Sequence, residues 1–245
     1  MVVTSKENAS VVAAVKLKDK KGRREQGKFL IEGQKLVYDA KKYGIRFDKI
    51  FVTEQYADKF AGFGEVVVVA EKVMAHISDT KTNQGVVAVA FLPQEKVYDG
   101  KKALLLDRIQ DPGNIGSVLR TACATGYTNV FLIDCADVFS PKSIRGGMSG
   151  QFMLNFFEVS EEDFLAKYGD RYIVCADMNG QNVFDFDCPD DHIIILGNEG
   201  QGVSANLSKA AKSTVMIPMQ NNLESLNVAV SGGIIMYQLS RKQWR

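Results

Sequence analysis

The chain has 245 residues, of which 46% are apolar and 24% are charged, a composition typical of a folded globular protein rather than a disordered one. No apolar run approaches the roughly 18 residues that a membrane span needs. The amino terminus also lacks the basic and apolar regions of a secretory signal. We therefore expect a cytoplasmic protein with room for one large domain or two of ordinary size.

The net charge of +1 hides an asymmetry along the chain. Between Met1 and Lys42, eleven basic residues stand against five acidic ones, so the remainder carries about −5. The densest basic stretch, Lys16 to Lys28, can contact nucleic-acid phosphates by releasing counterions. Its Gly22 and Gly27 fit a flexible, solvated connection between helices equally well. Both interpretations stay open for its candidate RNA-binding residues, which are Lys20, Lys21, Arg23 and Arg24.

The first ninety residues predict a small α/β module. Apolar periodicity indicates helices at VVAAVKLK and GQKLVYDAKKYG, and valine-rich strands at KIFVT, EVVVVA and GVVAVAFL. The periodicity lapses between Pro93 and Lys102, where proline, glycine and charges gather, so a domain boundary is expected there.

After this boundary, strands and helices alternate. ALLLD, NVFLID, RYIVCAD and HIIILG read as strands, and NIGSVLRTACATG as a helix that ends at Gly126. Uninterrupted apolar strands separated by helices indicate a parallel sheet covered on both faces. The predicted fold class is therefore α/β.

Histidine and cysteine are scarce. His76 and His192 are the only histidines, which argues against a histidine-dependent metal site and against a Ser/His/Asp triad, although His192 stays open as a triad member. The four cysteines show no CxxC spacing, so buried thiols fit them better than zinc ligands or disulfides. We expect no metal.

Three polar segments lie after the expected domain boundary, and the first two follow predicted strands, where parallel α/β sheets bind their ligands. The first, from Asp107 to Ala122, contains Asn114 and Arg120. Asn114 can equally be a helix cap, and Arg120 can pair with an acidic neighbour.

The second segment, GNEGQG from Gly197 to Gly202, encloses Glu199 among three glycines whose backbone can approach a ligand closely. A structural turn is the alternative. The segment matches neither the GxGxxG dinucleotide fingerprint nor the GxxxxGK[ST] phosphate loop.

The third segment, IPMQNNLESLNVAV from Ile217 to Val230, keeps Ser225 and Asn227 inside an apolar stretch. The pair can stand at a helix entrance with exposed backbone donors, or Ser225 can be a plain cap.

The order N-x-G-x-x-x-R, then G-N-E-G-x-G, then I-P-M followed by S-L-N-V resembles the SpoU-type (TrmH-like) branch of the SPOUT RNA methyltransferases. GKFLIEGQKLVYDA resembles the opening of the small RNA-binding domain that precedes the catalytic domain in several members. The resemblance implies an RNA substrate-binding domain over residues 1–95 and a SPOUT methyltransferase domain over residues 96–245. It also implies a deep trefoil knot at the carboxyl end of the second domain.

The same resemblance implies a homodimeric enzyme that transfers a methyl group from S-adenosylmethionine to a ribose 2′-hydroxyl in RNA. The extra amino-terminal domain favours structured ribosomal RNA, by analogy. A tRNA 2′-O-methyltransferase, a non-catalytic RNA-binding or ribosome-assembly factor, and a nucleotide-dependent enzyme of the doubly wound class are the alternatives. By match to the family motifs, the implied catalytic residues are Asn114, Arg120, Glu199, Ser225 and Asn227, and the implied cofactor-binding residues are Leu196, Gly197, Gly202, Ile217 and Leu226.

Two departures from the family pattern affect these expectations. Asn221 stands where members often have glycine, and because asparagine tolerates positive φ, we expect the loop to survive. The segment RGGMSGQF, from Arg145 to Phe152, differs from the commoner R-x-S-x-G pattern, which leaves target recognition open.

The chemistry of methyl transfer suggests a role for each candidate. The reaction requires the 2′-oxygen to be held behind the methyl carbon and to lose its proton. A guanidinium holds its proton firmly, so we expect Arg120 to bind the adjacent phosphate and stabilise the developing alkoxide. The other four catalytic candidates would order the site and relay the proton.

Overall fold

The computed structural model describes residues 1–94, 96–221 and 225–244. These residues form two compact units. The first contains residues 1–94 together with residues 139–152, and the second contains the described residues of 95–138 and 153–245. A segment from the middle of the chain therefore packs within the amino-terminal unit.

The first unit is a four-stranded sheet with helices. Its elements from residues 1–94 are α1 (Ala9–Lys16), α2 (Lys20–Gln26), β1 (Lys28–Glu32), α3 (Gln34–Lys42), β2 (Phe47–Val52), β3 (Glu65–Val68), α4 (Glu71–Ile77) and β4 (Val86–Phe91). The strand order is β1-β4-β2-β3, with β4 antiparallel to both neighbours and β2 parallel to β3. The predicted helices and strands are present. Helices α2 and α4 and strand β1 were not predicted.

The second unit is a six-stranded sheet in which every neighbouring pair is parallel. Its elements are β5 (Ala103–Asp107), α5 (Pro112–Ala124), β6 (Asn129–Ile133), β7 (Asn155–Glu158), α7 (Glu161–Tyr168), β8 (Ile173–Asn182), β9 (Ile193–Leu196), α8 (Ala205–Ala210), β10 (Ser213–Met216) and α9 (Val228–Leu239). Helix α6 (Pro141–Gly147) lies between β6 and β7 in the chain but packs within the first unit. The prediction of a parallel α/β sheet is confirmed.

The three central strands of this sheet, β5, β6 and β9, are buried and stabilise it. The order is β10-β8-β9-β5-β6-β7, and every residue of β5, β6 and β9 is buried. Burying a large aliphatic side chain contributes about 1.5–3 kcal/mol, so these strands form a firm platform. The strands of this parallel sheet end at one edge, and the segments that follow β5, β9 and β10 carry the three polar stretches described above.

None of the helices that the structure describes combines the length and the apolar character that crossing a lipid bilayer requires.

Candidate active site

Helix α5 begins at Pro112, two residues before the predicted start at Asn114. Asp111 is its N-cap and accepts a hydrogen bond from the Asn114 backbone N–H at 2.9 Å, while Pro112 occupies the first helical position. Asn114 therefore lies in the first turn, and the interpretation of Asn114 as a helix cap is wrong. Its side chain is left for other contacts.

The side chains of Asn114, Glu199 and Asn227 form a hydrogen-bonded chain across the three polar segments. Asn114 Nδ2 donates to Glu199 Oε1 at 2.8 Å, and Asn227 Nδ2 donates to Asn114 Oδ1 at 2.9 Å. Asn114 thus acts as donor on one side and acceptor on the other, which fixes the orientation of its amide.

Asn227 has a second role as the N-cap of α9. Its Oδ1 accepts from the Ala229 backbone N–H at 2.9 Å, which leaves Nδ2 free to donate to Asn114. The alternative of Ser225 as the cap is therefore wrong. Ser225 is exposed and lies two residues before the cap.

The loop after β9 is held by Asn198. Its Oδ1 accepts from the backbone N–H groups of Gly200 and Gln201 at 2.9 and 3.0 Å, and its Nδ2 donates to the Arg108 carbonyl at 2.9 Å. These bonds fold the loop into a tight turn that presents Glu199 to Asn114. The carboxylate is consequently positioned although it is exposed.

Gly197 is required by the loop itself. A Cβ at this position would lie 2.3 Å from both Gly202 C and Val203 N, so the returning chain leaves no space for a side chain. Sequence reasoning attributed this glycine to the cofactor alone. The close backbone contact is a separate reason, which only the tertiary structure reveals.

Asp107 and Arg108, two residues that contact the loop after β9, were not singled out from the sequence. Asp107 is fully buried at the end of β5, where it pairs with Arg108 at 2.8 Å and accepts from the Ser204 backbone N–H at 2.8 Å. Arg108 also donates to Gln201 Oε1 at 2.9 Å, and its hydrogen bond and charge interaction with Asp107 raise its pKa. Asp107 could have been found from the sequence, because it is a carboxylate at the end of an otherwise apolar strand. A buried charge requires a partner, so this position indicates an ion pair.

Arg120 lies apart from the hydrogen-bonded chain. Its side chain is exposed on α5, and no hydrogen bond or ion pair joins it to another described residue. Pairing with an acidic neighbour, the structural alternative from the sequence, is not observed in the part of the chain that the structure covers. The guanidinium is accessible to an anionic ligand.

Comparison with known proteins identifies the family. The SpoU rRNA Methylase family model matches residues 101–237, more than half of the chain, and the MRM3-like substrate binding domain model matches residues 8–88. This chain belongs to the SpoU rRNA methylase family.

Individual relatives in the SpoU family match over nearly the whole length. The 23S rRNA (guanosine(2553)-2′-O)-methyltransferase of Bacillus subtilis is 33% identical over 97% of this chain and 98% of its own. An AdoMet-bound rRNA methyltransferase from Sinorhizobium meliloti superposes with a TM-score of 0.89 at 28% identity, covering 99% of this chain and 98% of that one. AviRb, a SpoU methyltransferase from Streptomyces viridochromogenes in complex with AdoMet, gives a TM-score of 0.85 at 27% identity, over 97% and 99%.

The residues that the resemblance implied for cofactor binding lie at or after the carboxyl ends of β9 and β10. Leu196 is the buried last residue of β9, and Ile217 and Leu226 are partly buried in the segment between β10 and α9. Helix α9 can pack against Leu196 because residue 232 is glycine, where a Cβ would lie 2.5 Å from Leu196 Cδ1. Gly202 has a φ of 68°, which suits glycine.

Asn221 adopts a φ of 56°, the left-handed conformation that we expected asparagine to tolerate at this position.

The predicted RNA-binding cluster needs a correction at Arg23. Residues 20–26 form helix α2 rather than a flexible connection, and Arg23 is only 3% exposed, with Nη1 donating to the carbonyls of Leu17 and Lys18 at 2.7 and 2.8 Å. Gly22 serves the packing of α1 on α2, because a Cβ there would lie 2.0 Å from the Lys16 carbonyl oxygen. The side chains of Lys20, Lys21 and Arg24 are exposed.

His192 has a structural role in this fold. One ring nitrogen, Nε2, lies 2.6 Å from the Tyr127 hydroxyl, and Nδ1 lies 2.6 Å from the Pro189 carbonyl oxygen. Burial lowers the pKa of His192, which favours the neutral form of the ring. With both nitrogens occupied, His192 is not a triad base.

The cysteines are unpaired thiols in this structure, and burial raises the pKa of Cys135 and Cys175 to about 11. Among residues 1–94, 96–221 and 225–244, no three His, Cys, Asp or Glu side chains are arranged to hold a metal ion.

Proposed function

We propose that this chain transfers a methyl group from S-adenosylmethionine to a ribose 2′-hydroxyl of ribosomal RNA. The observation that carries the proposal is the hydrogen-bonded chain from Glu199 through Asn114 to Asn227, together with the accessible Arg120 on the same helix as Asn114. Family membership and the named activity of the Bacillus subtilis relative support it. The two AdoMet complexes among the structural relatives support the choice of cofactor.

The residues at the carboxyl edge fit this cofactor. Adenosine needs an apolar slot with backbone groups at its rim, and the partly buried side chains of Ile217 and Leu226, in the segment between β10 and α9, offer apolar surface for it. Gly197 allows the chain after β9 to turn back closely on residues 202 and 203, which shapes the loop at this edge. When bound, S-adenosylmethionine supplies an electrophilic methyl group on a sulfonium.

The protein residues then position the nucleophile. The Arg120 guanidinium binds the phosphate next to the target ribose and stabilises negative charge on the 2′-oxygen. The Asn114 amide, which Glu199 and Asn227 hold in place, orients substrate groups at the start of α5. Ser225, two residues before Asn227 in the chain, contributes a hydroxyl. Glu199, a carboxylate that already accepts from Asn114, has remaining acceptor capacity for the 2′-hydroxyl proton or for a water that carries it.

We also infer which part of the chain binds RNA and which part transfers the methyl group. Residues 1–95 serve as the RNA substrate-binding domain and residues 96–245 as the methyltransferase domain, which the two family matches support. Within the first part, Lys20, Lys21 and Arg24 contact RNA phosphates. Arg23 is not included because it is buried.

We also propose that the chain forms a trefoil knot and that the enzyme is a homodimer. The order β10-β8-β9-β5-β6-β7 and the packing of α9 against α5 and Leu196 support a trefoil knot at the carboxyl end. Val230 and Tyr237 on α9 are each 51% exposed, which supports a second copy of the chain as their partner. A cytoplasmic location, where ribosomal RNA would be met, belongs to the same proposal.

The test offers radiolabelled S-adenosylmethionine and the purified full chain to unmodified 23S rRNA, 16S rRNA and tRNA in separate reactions. Label entering ribosomal RNA, and its loss in Asn114→Ala, is the expected result. Label entering only tRNA would overturn the substrate assignment in favour of a tRNA methyltransferase. RNA binding without label in any reaction would instead support a non-catalytic assembly factor.

A further inference from the structure

The first unit contains a polar cleft of about 420 Å³ that the methyltransferase site does not use. Four carboxamide side chains line it, together with an aromatic ring and an ammonium group: Gln34, Gln55, Asn83, Gln84, Tyr56 and Lys81. A carboxamide carries both donors and acceptors. Gln34 Oε1 already accepts from Lys59 Nζ at 2.8 Å, and Asn83 Oδ1 accepts from the Gly85 backbone N–H at 3.0 Å. Gln55 and Gln84 are therefore the better candidates for contacts with a ligand.

The loop that forms one side of the cleft is anchored to the sheet by Glu32. The Glu32 carboxylate accepts from the hydroxyls of Ser78 and Thr80, the latter at 2.5 Å, and from the Asp79 backbone N–H at 3.1 Å. Asp79 in turn pairs with Arg145 of α6 at 2.8 Å. The residues from Ser78 onward are therefore held in a defined position before any ligand arrives.

Two glycines shape the floor of the cleft. Gly33 has a φ of 99°, and a Cβ there would lie 2.8 Å from Gln84 Oε1. Gly85 has a φ of 71°, and a Cβ there would lie 2.6 Å from Tyr56 Cε2. The Gln84 carboxamide and the Tyr56 ring can thus lie directly against the backbone, which brings both groups into the cleft wall.

The balance of charge in the cleft distinguishes between ligands. Lys81 is its one cation and Glu71 its one anion among the lining residues, so the cleft has no excess of positive charge for a phosphate. Carboxamides, by contrast, hydrogen-bond the edges of unpaired bases, and aromatic side chains provide stacking surface for them. The volume lies in the range of small-ligand sites and can hold one nucleotide.

We propose that this cleft binds a single unpaired nucleotide of the RNA substrate and recognises its base through the carboxamides of Gln55 and Gln84. The proposal rests on the proposed function, because it takes RNA to be the substrate of the chain. It assigns base recognition to this cleft and leaves phosphate contacts to the exposed basic residues of α2.

The first test measures equilibrium binding of the full chain to unmodified 23S rRNA at several salt concentrations without S-adenosylmethionine. Gln84→Ala and Gln55→Ala should each weaken binding about tenfold, the discrimination that one base contact provides, with an unchanged salt slope. Gln94→Ala is the matched control, because Gln94 is exposed in the same unit but does not line the cleft. Wild-type affinity in both cleft variants, or a reduced salt slope, would overturn the proposal.

A second test uses 23S rRNA that contains 4-thiouridine and is irradiated in complex with the wild-type chain. Parallel samples carry 6-thioguanosine in place of guanosine or photoreactive 8-azidoadenosine in place of adenosine, so that other bases are also probed. We expect a cross-link in the peptide that spans residues 81–85 with one of the probes, and cross-links confined to other peptides with all of them would contradict the assignment. Both tests are independent of methyl transfer. An inactive chain that nevertheless shows the Gln84 effect would refute the proposed activity alone, whereas an active chain without this effect would refute only the cleft.

Discussion

Asn114 and Glu199 lie 85 residues apart in the chain, yet Asn114 Nδ2 donates a hydrogen bond to Glu199 Oε1 at 2.8 Å. Asn227 donates to the other end of the same amide, so a reversed Asn114 amide would place two donors and two acceptors against each other. The three polar segments therefore act as one unit, in which Asn114 is the central member.

Asn114→Asp replaces the donor to Glu199 with an acceptor of nearly the same shape. Repulsion between the two carboxylates should displace both groups, and a small misplacement at a reacting centre costs about 100-fold in kcat/KM. Methyl transfer to rRNA measures the effect. Ser117→Ala is the control on the same helix, because among the described residues the Ser117 hydroxyl bonds only to the Gly113 carbonyl, and the change should leave the rate within about twofold.

Arg120→Lys keeps the charge but removes the planar fork that binds phosphate at two points. We expect kcat/KM to fall about 100-fold, as when a transition-state donor is lost. Because Arg120 is exposed, the free energy of unfolding should change by no more than about 0.5 kcal/mol. A wild-type rate in Arg120→Ala would refute a catalytic role for this residue.

Gly197→Ala would introduce a Cβ 2.3 Å from the backbone of residues 202 and 203. Such overpacking destabilises proteins by about 1–3 kcal/mol and should also weaken binding of S-adenosylmethionine, measured by calorimetry. Gly200→Ala is the matched control in the same loop, since its Cβ would have Asn198 Oδ1 as nearest neighbour at 3.6 Å. Equal cofactor affinity in both variants would contradict the account of the loop.

His192 predicts a pH dependence of stability. Burial lowers its pKa in the folded state, so the unfolded chain binds the proton more readily, and the free energy of unfolding should fall as the pH drops below about 6.5. Urea titrations between pH 5 and pH 8 measure this. The difference in stability between the wild type and His192→Gln should shrink on acidification, and a constant difference would contradict the prediction.

Tyr237→Lys tests the proposed dimer. Placing a charge on the exposed side of α9 should convert a dimer into monomers in light scattering and lower the rate of methyl transfer by at least about tenfold. Val12→Lys on α1 is a control, because Val12 is also an exposed apolar residue, at 41%. A monomeric wild type with full activity would refute the dimer.

Sequence reasoning recovered the centre of the catalytic sheet better than its edges. Strands β5, β6 and β9 are buried on both faces, so their apolar runs are uninterrupted. The edge strands β7 and β10 are only partly buried, and without a continuous apolar pattern they were not predicted.

The candidate site could also be predicted only in part from the sequence. That the polar segments meet could be expected, because loops at the carboxyl ends of parallel strands share one edge. Their partners could not, because the bond between Asn114 and Asn227 depends on how α5 packs against α9. Arg23 was misassigned for a similar reason, since its burial follows from the close approach of two helices at Gly22.

The position of the transferred methyl group tests the proposed activity most directly. Labelled rRNA would be digested to nucleosides, analysed by mass spectrometry and mapped through the resistance of 2′-O-methylated linkages to alkali. We predict a 2′-O-methylnucleoside at one site in rRNA, made by the wild type and not by Asn114→Asp. A methyl group on a base, or equal methylation by both proteins, would contradict the account.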